Sequence, residues 1–231
     1  MKLKVACVQI NPVIGQVEAN IAKVKKLLSS VPAVDMVLLP ELAITGYNFK
    51  SPSMIKPYLE SQREGGSSIN LAKEISTKFQ CFTLIGYPEV YDSTIYNSTA
   101  LIAPNGKFLH NYRKTFLYET DEVWGCLENP QKGFKSFPLI LDKQYYLHPN
   151  SSGEYNAVQT NIGICMDLNP YKFEPPFNDF EFSLSCFAQK VKLILCPMAW
   201  LSPHSPSAKS ELTKDEKISH SKPFAKFFNN E

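Results

Sequence analysis

The sequence predicts a mixed α/β protein, and three observations carry that prediction. The apolar period switches repeatedly between two and about 3.6, as strands and helices in successive layers require. Two short apolar runs closed by proline, Val34 to Pro40 and Val191 to Pro197, have the make-up of buried strands and hint at two half-folds. A third signal is the link Pro104-Asn105-Gly106-Lys107, whose Asn-Gly pair accepts the positive φ of a tight turn between two apolar runs. Parallel units and a hairpin then share a mixed sheet. With 231 residues, 44% of them hydrophobic and 20% charged, the chain holds enough apolar surface for one substantial core.

The elements follow in order. Leu3 to Gln9 reads as a strand, the segment after Gly15 as a helix with Ile21, Val24, Leu27 and Leu28 on one face, and Met36 to Leu39 as a strand stopped by Pro40. A second unit places a helix around Ile69 to Phe79 before a strand from Cys81 to Val90. Ile95 to Ala103 and Phe108 to Tyr112 are the arms of the hairpin, with His110 facing outward. Between Gly133 and Tyr155 the composition turns to Pro, Ser, Asn and Gly, the mark of surface excursions around a short strand or two. Val158 to Met166 is a strand, and Phe177 to Lys190 a helix whose inward stripe is Phe180, Leu184, Phe187 and Ala188. Lys192 to Cys196 is a last short strand. From Ser202 the chain is rich in Ser, Lys and Pro, so residues 1–201 read as the folded domain and 202–231 as a mobile polar tail.

Composition narrows the function. A formal charge of +2 is too small for phosphate-backbone binding, and no apolar run is long enough to span a membrane. Six cysteines without a C-x-x-C pair indicate neither a disulfide framework nor a zinc site, and neither metal nor cofactor is expected. The chain enters a strand-like run at Leu3, with no leader segment before it, so the cytoplasm is the expected location. Oligomeric state is not readable.

Ligands in open α/β sheets sit beyond the carboxyl ends of strands, so polar residues just after strand-like runs are the candidates. Glu41 follows the Leu38-Leu39-Pro40 run, where burial makes it a proton shuttle; otherwise it caps a helix or pairs with a surface lysine. Arg113 and Lys114 end the hairpin's return strand and point to opposite faces, so one enters a site while the other meets solvent. Cys165 ends the run Thr160 to Ile164 beside Asp167, as an activated nucleophile or as a buried structural thiol. His110, His148, His204 and His220 offer a Cys-His alternative with no site-like context around them.

Glu41, Lys114 and Cys165, in this order and strand context, resemble the Glu-Lys-Cys triad of the nitrilase superfamily of carbon-nitrogen hydrolases. The segments Tyr112 to Glu122, Gly163 to Phe173 and Leu195 to Trp200 are most similar to the fungal N-terminal amidases of that superfamily, and the resemblance runs from Leu3 to about Leu201. It implies a four-layer α-β-β-α sandwich with mixed sheets. Because members carry further strands beyond the point these residues reach, it also implies an incomplete second half with exposed apolar surface and open strand edges.

The implied activity is removal of ammonia from the side-chain amide of an N-terminal Asn or Gln of a protein or peptide, feeding degradation that reads N-terminal residues. Cys165 attacks as a thiolate, Glu41 moves the proton, and Lys114 lowers the thiol pKa and faces the oxyanion with the backbone N–H of Met166. Removing Lys114 is then expected to silence the enzyme without unfolding it. Glu122, eight residues past Lys114, matches the family's additional active-site glutamate. Much of the superfamily has an arginine where this chain has Asn169, which frees Asp167 either to bind the α-ammonium of the substrate or to cap the Asn169-Pro170 turn. Trp124 and Trp200 are candidate pocket walls. The alternatives are a catalytically silent binding protein of the same fold and an enzyme for a free small amide or nitrile.

Overall fold

The computed structural model describes residues 2–150, 153–174, 176 and 178–199, and Met1–Ala199 is one compact unit. The expected tail, the boundary at 201 and Trp200 lie outside the described residues. The first sheet has the order β1 (Val5–Cys7), β2 (Met36–Leu38), β3 (Phe82–Tyr91), β4 (Thr94–Ile102), β5 (Phe108–Arg113). β1, β2 and β3 run parallel, joined through α1 (Val17–Leu28), the short α2 (Pro52–Ile55) and α3 (Ser67–Phe79), whereas β3, β4 and β5 form an antiparallel meander. The expected Asn-Gly turn is there, with Gly106 at φ +81°. A two-residue turn at Asp92 and Ser93, both left-handed, makes the other hairpin.

The second sheet has the order β6 (Phe137–Ile140), β7 (Ala157–Ile162), β8 (Leu193–Leu195), with β7 and β8 parallel and linked through α6 (Glu181–Ala188). The helices α4 (Glu119–Val123) and α5 (Lys143–Leu147) are single turns between strands. Alternation along the strands sorts the core into layers. Val37, Ile85 and Ile102 face α1 and α3 through Val24, Leu28, Ile69 and Ile75, while Met36, Leu84 and Leu101 meet Leu139, Ile162 and Leu195 of the second sheet. On that sheet's far side α6 seats Phe182 over Gly163, where an added Cβ would lie 2.9 Å from the ring, and Asn161 Nδ2 donates to Cys186 Sγ at 3.4 Å. The order is helix, sheet, sheet, helix.

Three expectations change. α6 buries Phe182 and Cys186, so the stripe of Phe180, Leu184 and Phe187 faces outward; the ring seated on Gly163 sets the rotation. α1 likewise turns Leu27 out and buries Asn20, whose amide accepts from Val13 N–H (2.9 Å) and donates to the carbonyls of Val13 (2.7 Å) and Ile44 (2.9 Å). His110 lies between the sheets, stacked on Phe137 at 3.9 Å, and burial pulls its pKa down to about 4.

Candidate active site

Glu41 leaves β2 through Leu39 and Pro40 and is buried because β3 presses against it at Gly86. A Cβ on Gly86 would stand 2.5 Å from the Glu41 Cα, so only glycine lets the strand and the loop exchange the bonds Gly86 N–H to Pro40 O (3.1 Å) and Ala43 N–H to Gly86 O (3.2 Å). Lys114 follows β5, and its own N–H donates to Asn97 O at 2.8 Å. Its neighbour Arg113 takes the opposite face, as strand alternation requires. That guanidinium is mostly buried: it forks onto Glu89 at 2.8 and 2.7 Å and packs on the rings of Tyr91 and Tyr96.

The fully buried Lys114 ammonium donates to Glu41 Oε1 at 2.8 Å and to Asp121 Oδ2 at 2.7 Å. Burial works against its charge, but the two carboxylates outweigh burial and hold its pKa well above the ordinary lysine value. Asn97, in the middle of β4, bridges the same acids, its Nδ2 donating to Glu41 Oε1 (2.7 Å) and Asp121 Oδ1 (2.9 Å). The other Glu41 oxygen accepts from the backbone N–H of Ala199 at 2.8 Å, just past β8. The carboxylate is therefore fixed from both sheets.

Cys165 opens a 3-10 turn, Cys165–Leu168, and adopts φ +43°, a left-handed conformation that breaks the line of β7. Its N–H donates to Pro197 O at 3.2 Å, and the residue is half-buried. Burial raises the thiol pKa well above the ordinary value; the charges of Glu41 and Asp121 add to the rise, and that of Lys114 opposes it without prevailing.

The carboxylate behind Lys114 is Asp121 rather than Glu122. In α4 adjacent residues point about 100° apart, and Asp121 turns inward, also accepting from Tyr118 N–H at 2.9 Å, while Glu122 is 54% exposed and meets Lys172 at 3.7 Å. Asp167 is fully buried and engaged: Oδ1 accepts from the N–H groups of Thr115 (3.1 Å) and Phe116 (2.7 Å), and Oδ2 from Ile164 N–H (2.7 Å) and Tyr112 OH (2.8 Å). Neither oxygen is left for an α-ammonium, and the Asn169-Pro170 turn is not its partner; it clips the cysteine turn to the lysine segment. Burial pushes its pKa up to about 6. Trp124 is core, fully buried among Leu42, Phe49, Ile55 and Leu117, and Met166 is buried beside Cys165. Tyr47 was not expected at the site, yet its ring centroid is 5.5 Å from Lys114 Nζ and burial raises its pKa, with Asp121 and Glu41 adding to the rise. Among the described residues no group of three or more His, Cys, Asp or Glu is placed to hold a metal ion, and no helix is long and apolar enough to cross a membrane.

The family model for carbon-nitrogen hydrolases matches residues 4–165. The protein N-terminal amidase of Saccharomyces cerevisiae is 46% identical over 222 residues, covering 92% of this chain and 48% of that protein; its Schizosaccharomyces pombe namesake is 39% identical, covering 78% and 60%. Crystal structures of an N-terminal amidase with an Asn-Glu-Ala peptide and with a Gln-Gly peptide superpose with TM-score 0.78 at 42% identity, covering 97% of this chain and 54% of theirs. The chain thus spans about half the length of the Saccharomyces relative and of these crystallised chains.

Proposed function

The chain belongs to the carbon-nitrogen hydrolase family, and from that premise we propose that it carries the chemistry of an amidohydrolase releasing ammonia from the side-chain amide of an N-terminal Asn or Gln. The observation that carries the reading is the buried Lys114 ammonium held by Glu41 and Asp121, with all three charges acting on the Cys165 thiol. Glu41 takes the thiol proton as sulfur attacks the carboxamide carbon, so base and nucleophile act together. The oxyanion forms against Lys114 and the N–H of Met166, one of the first N–H groups of a 3-10 turn, which the turn's own bonds leave unused. Glu41 returns the proton to the departing nitrogen, ammonia leaves, and a thioester remains. Water, deprotonated by Glu41, cleaves the thioester to the acid and restores the thiol.

Asp121 takes the place foreseen for Glu122, holding Lys114 in line. The substrate class is supported by the relatives, whose structures hold peptides beginning with Asn or Gln. The cytoplasmic placement is supported by six free cysteines, a state that persists in a reducing compartment. A second reading is a binding protein of the same fold that engages N-termini without turnover. Ammonia release by the whole chain from Asn- and Gln-initiated peptides, their N-acetylated forms and free asparagine tests the proposal, with Cys165→Ala as control. Release from the free-amine peptides alone, abolished in the control, is expected. Release that survives Cys165→Ala sinks the mechanism, peptide binding without release supports the second reading, and preference for free asparagine moves the substrate to small amides.

A further inference from the structure

Glu89, near the end of β3, is a fully buried carboxylate that the proposed chemistry does not use. It lies on the face of the first sheet that turns toward the helix layer, as Tyr87 and Ala100 do. Its two oxygens collect four bonds from the neighbouring strands. Oε2 accepts from Ser98 Oγ of β4 at 2.6 Å, and from Asn111 Nδ2 (2.9 Å) and Arg113 Nε (2.8 Å) of β5, while Oε1 accepts from Arg113 Nη2 at 2.7 Å. Tyr87 OH closes the network by donating to Asn111 Oδ1 at 2.8 Å. Burial works against the Glu89 charge, but the bonds from Arg113, Ser98 and Asn111 outweigh it and hold the pKa below the ordinary carboxylate value.

The three strands joined this way each place one part of the site from the opposite face. Gly86, three residues before Glu89, presses on the loop of Glu41; Asn97 precedes Ser98; Lys114 follows Arg113. Lys114 stands just past the last residue of β5, where the ladder ends and a strand opens most readily. Its backbone is held there by its N–H to Asn97 O (2.8 Å) and by Asn129 N–H to its carbonyl (3.0 Å). Because Nζ sits at the end of a long flexible arm, a shift of that backbone reaches its contacts with Glu41 and Asp121. We infer that Glu89 is a positioning residue: by gripping Arg113 across β4 it fixes where β5 ends, and so holds the Lys114 ammonium between its two carboxylates from the far side of the sheet. Its effect on turnover rests on the amidase reading, whereas its hold on the Lys114 backbone does not.

Glu89→Gln keeps the shape of the side chain and removes the charge that Arg113 grips. In this variant, amide exchange at Lys114 is expected to quicken about tenfold or more, while exchange along Ala157–Ile162 of the second sheet stays within about twofold of the parent. For an Asn-initiated peptide kcat is expected to fall about tenfold or more with KM within about twofold, because the ammonium is displaced and no substrate contact is removed. Arg113→Lys, which replaces the fork by a point charge, is expected to lie between the parent and Arg113→Met in both measurements. Should Glu89→Gln fail to fold, Ser98→Ala removes one of the four bonds and leaves the ion pair, and the same pattern is expected at about threefold. Exchange at Lys114 equal to the parent's overturns the inference. So does exchange that quickens in both sheets alike, or a kcat per folded molecule that is unchanged, since Glu89 then serves only the fold. If the parent releases no ammonia, the amidase reading falls, and exchange at Lys114 alone decides whether Glu89 holds that backbone.

Discussion

Lys114 keeps its charge out of water because two carboxylates and an asparagine surround it, and the same arrangement makes it expensive to remove. Lys114→Met leaves Glu41 and Asp121 facing each other unpaired. Such a change is expected to lower stability by about 3 to 5 kcal/mol besides cutting turnover about a hundredfold or more, measured by denaturant titration beside the ammonia assay. The sequence-level expectation of a silent but intact variant therefore belongs to Cys165→Ala. Asp167 gives a pH signature. Its folded pKa of about 6 lies above the ordinary 3.8, so its contribution to stability is full below the ordinary value and is lost as pH rises through about 6. Asp167→Asn points an amide N–H₂ at neighbours that are themselves donors, and is expected to cost about 2 to 4 kcal/mol while removing that slope between about pH 4 and 6. An unaltered slope counts against this account. Glu41, Lys114 and Cys165 were legible because each follows a strand. Asp121 was not, since spacing alone does not set the rotation of a one-turn helix, and Ala199 acts through a backbone group that every residue carries.

At the scale of elements, the contact between β3 and the loop after β2 places Glu41, the proposed general base. Gly86→Ala must move that loop away from the strand, so it is expected to cost about 1 to 3 kcal/mol and to cut turnover up to about a hundredfold with every catalytic side chain present. Turnover equal to the parent shows that the loop tolerates the shift. Element types and most limits followed from periodicity, as in α3 and the β4–β5 hairpin. Periodicity failed at α6, where both faces are apolar and the choice between them was made by Gly163 under Phe182. Phe182→Ala is expected to cost about 3 to 5 kcal/mol and Phe187→Ser under about 0.5 kcal/mol, a contrast that thermal unfolding reads directly. Asn97 was hidden for a related reason: the Asn97-Ser98-Thr99 run sits wholly buried inside a strand, where polar residues signal a network, but the partners come from distant segments.

At the scale of the molecule, the four layers and the mixed sheets agree with what the Glu-Lys-Cys resemblance implied, and the N-terminal amidase structures match them. The order of strands and their stacking were beyond the sequence, because they depend on contacts such as Phe137 on His110 that no local pattern records. The Ala199 N–H on Glu41 has a mechanical meaning: a carboxylate in one layer is steered by a donor anchored in another, so the proposed activity is also a gauge of how well the two sheets stay in register. In a urea titration, loss of turnover is then expected to precede loss of the far-ultraviolet dichroism, because a slip between the layers disarms the carboxylate while every strand is still paired.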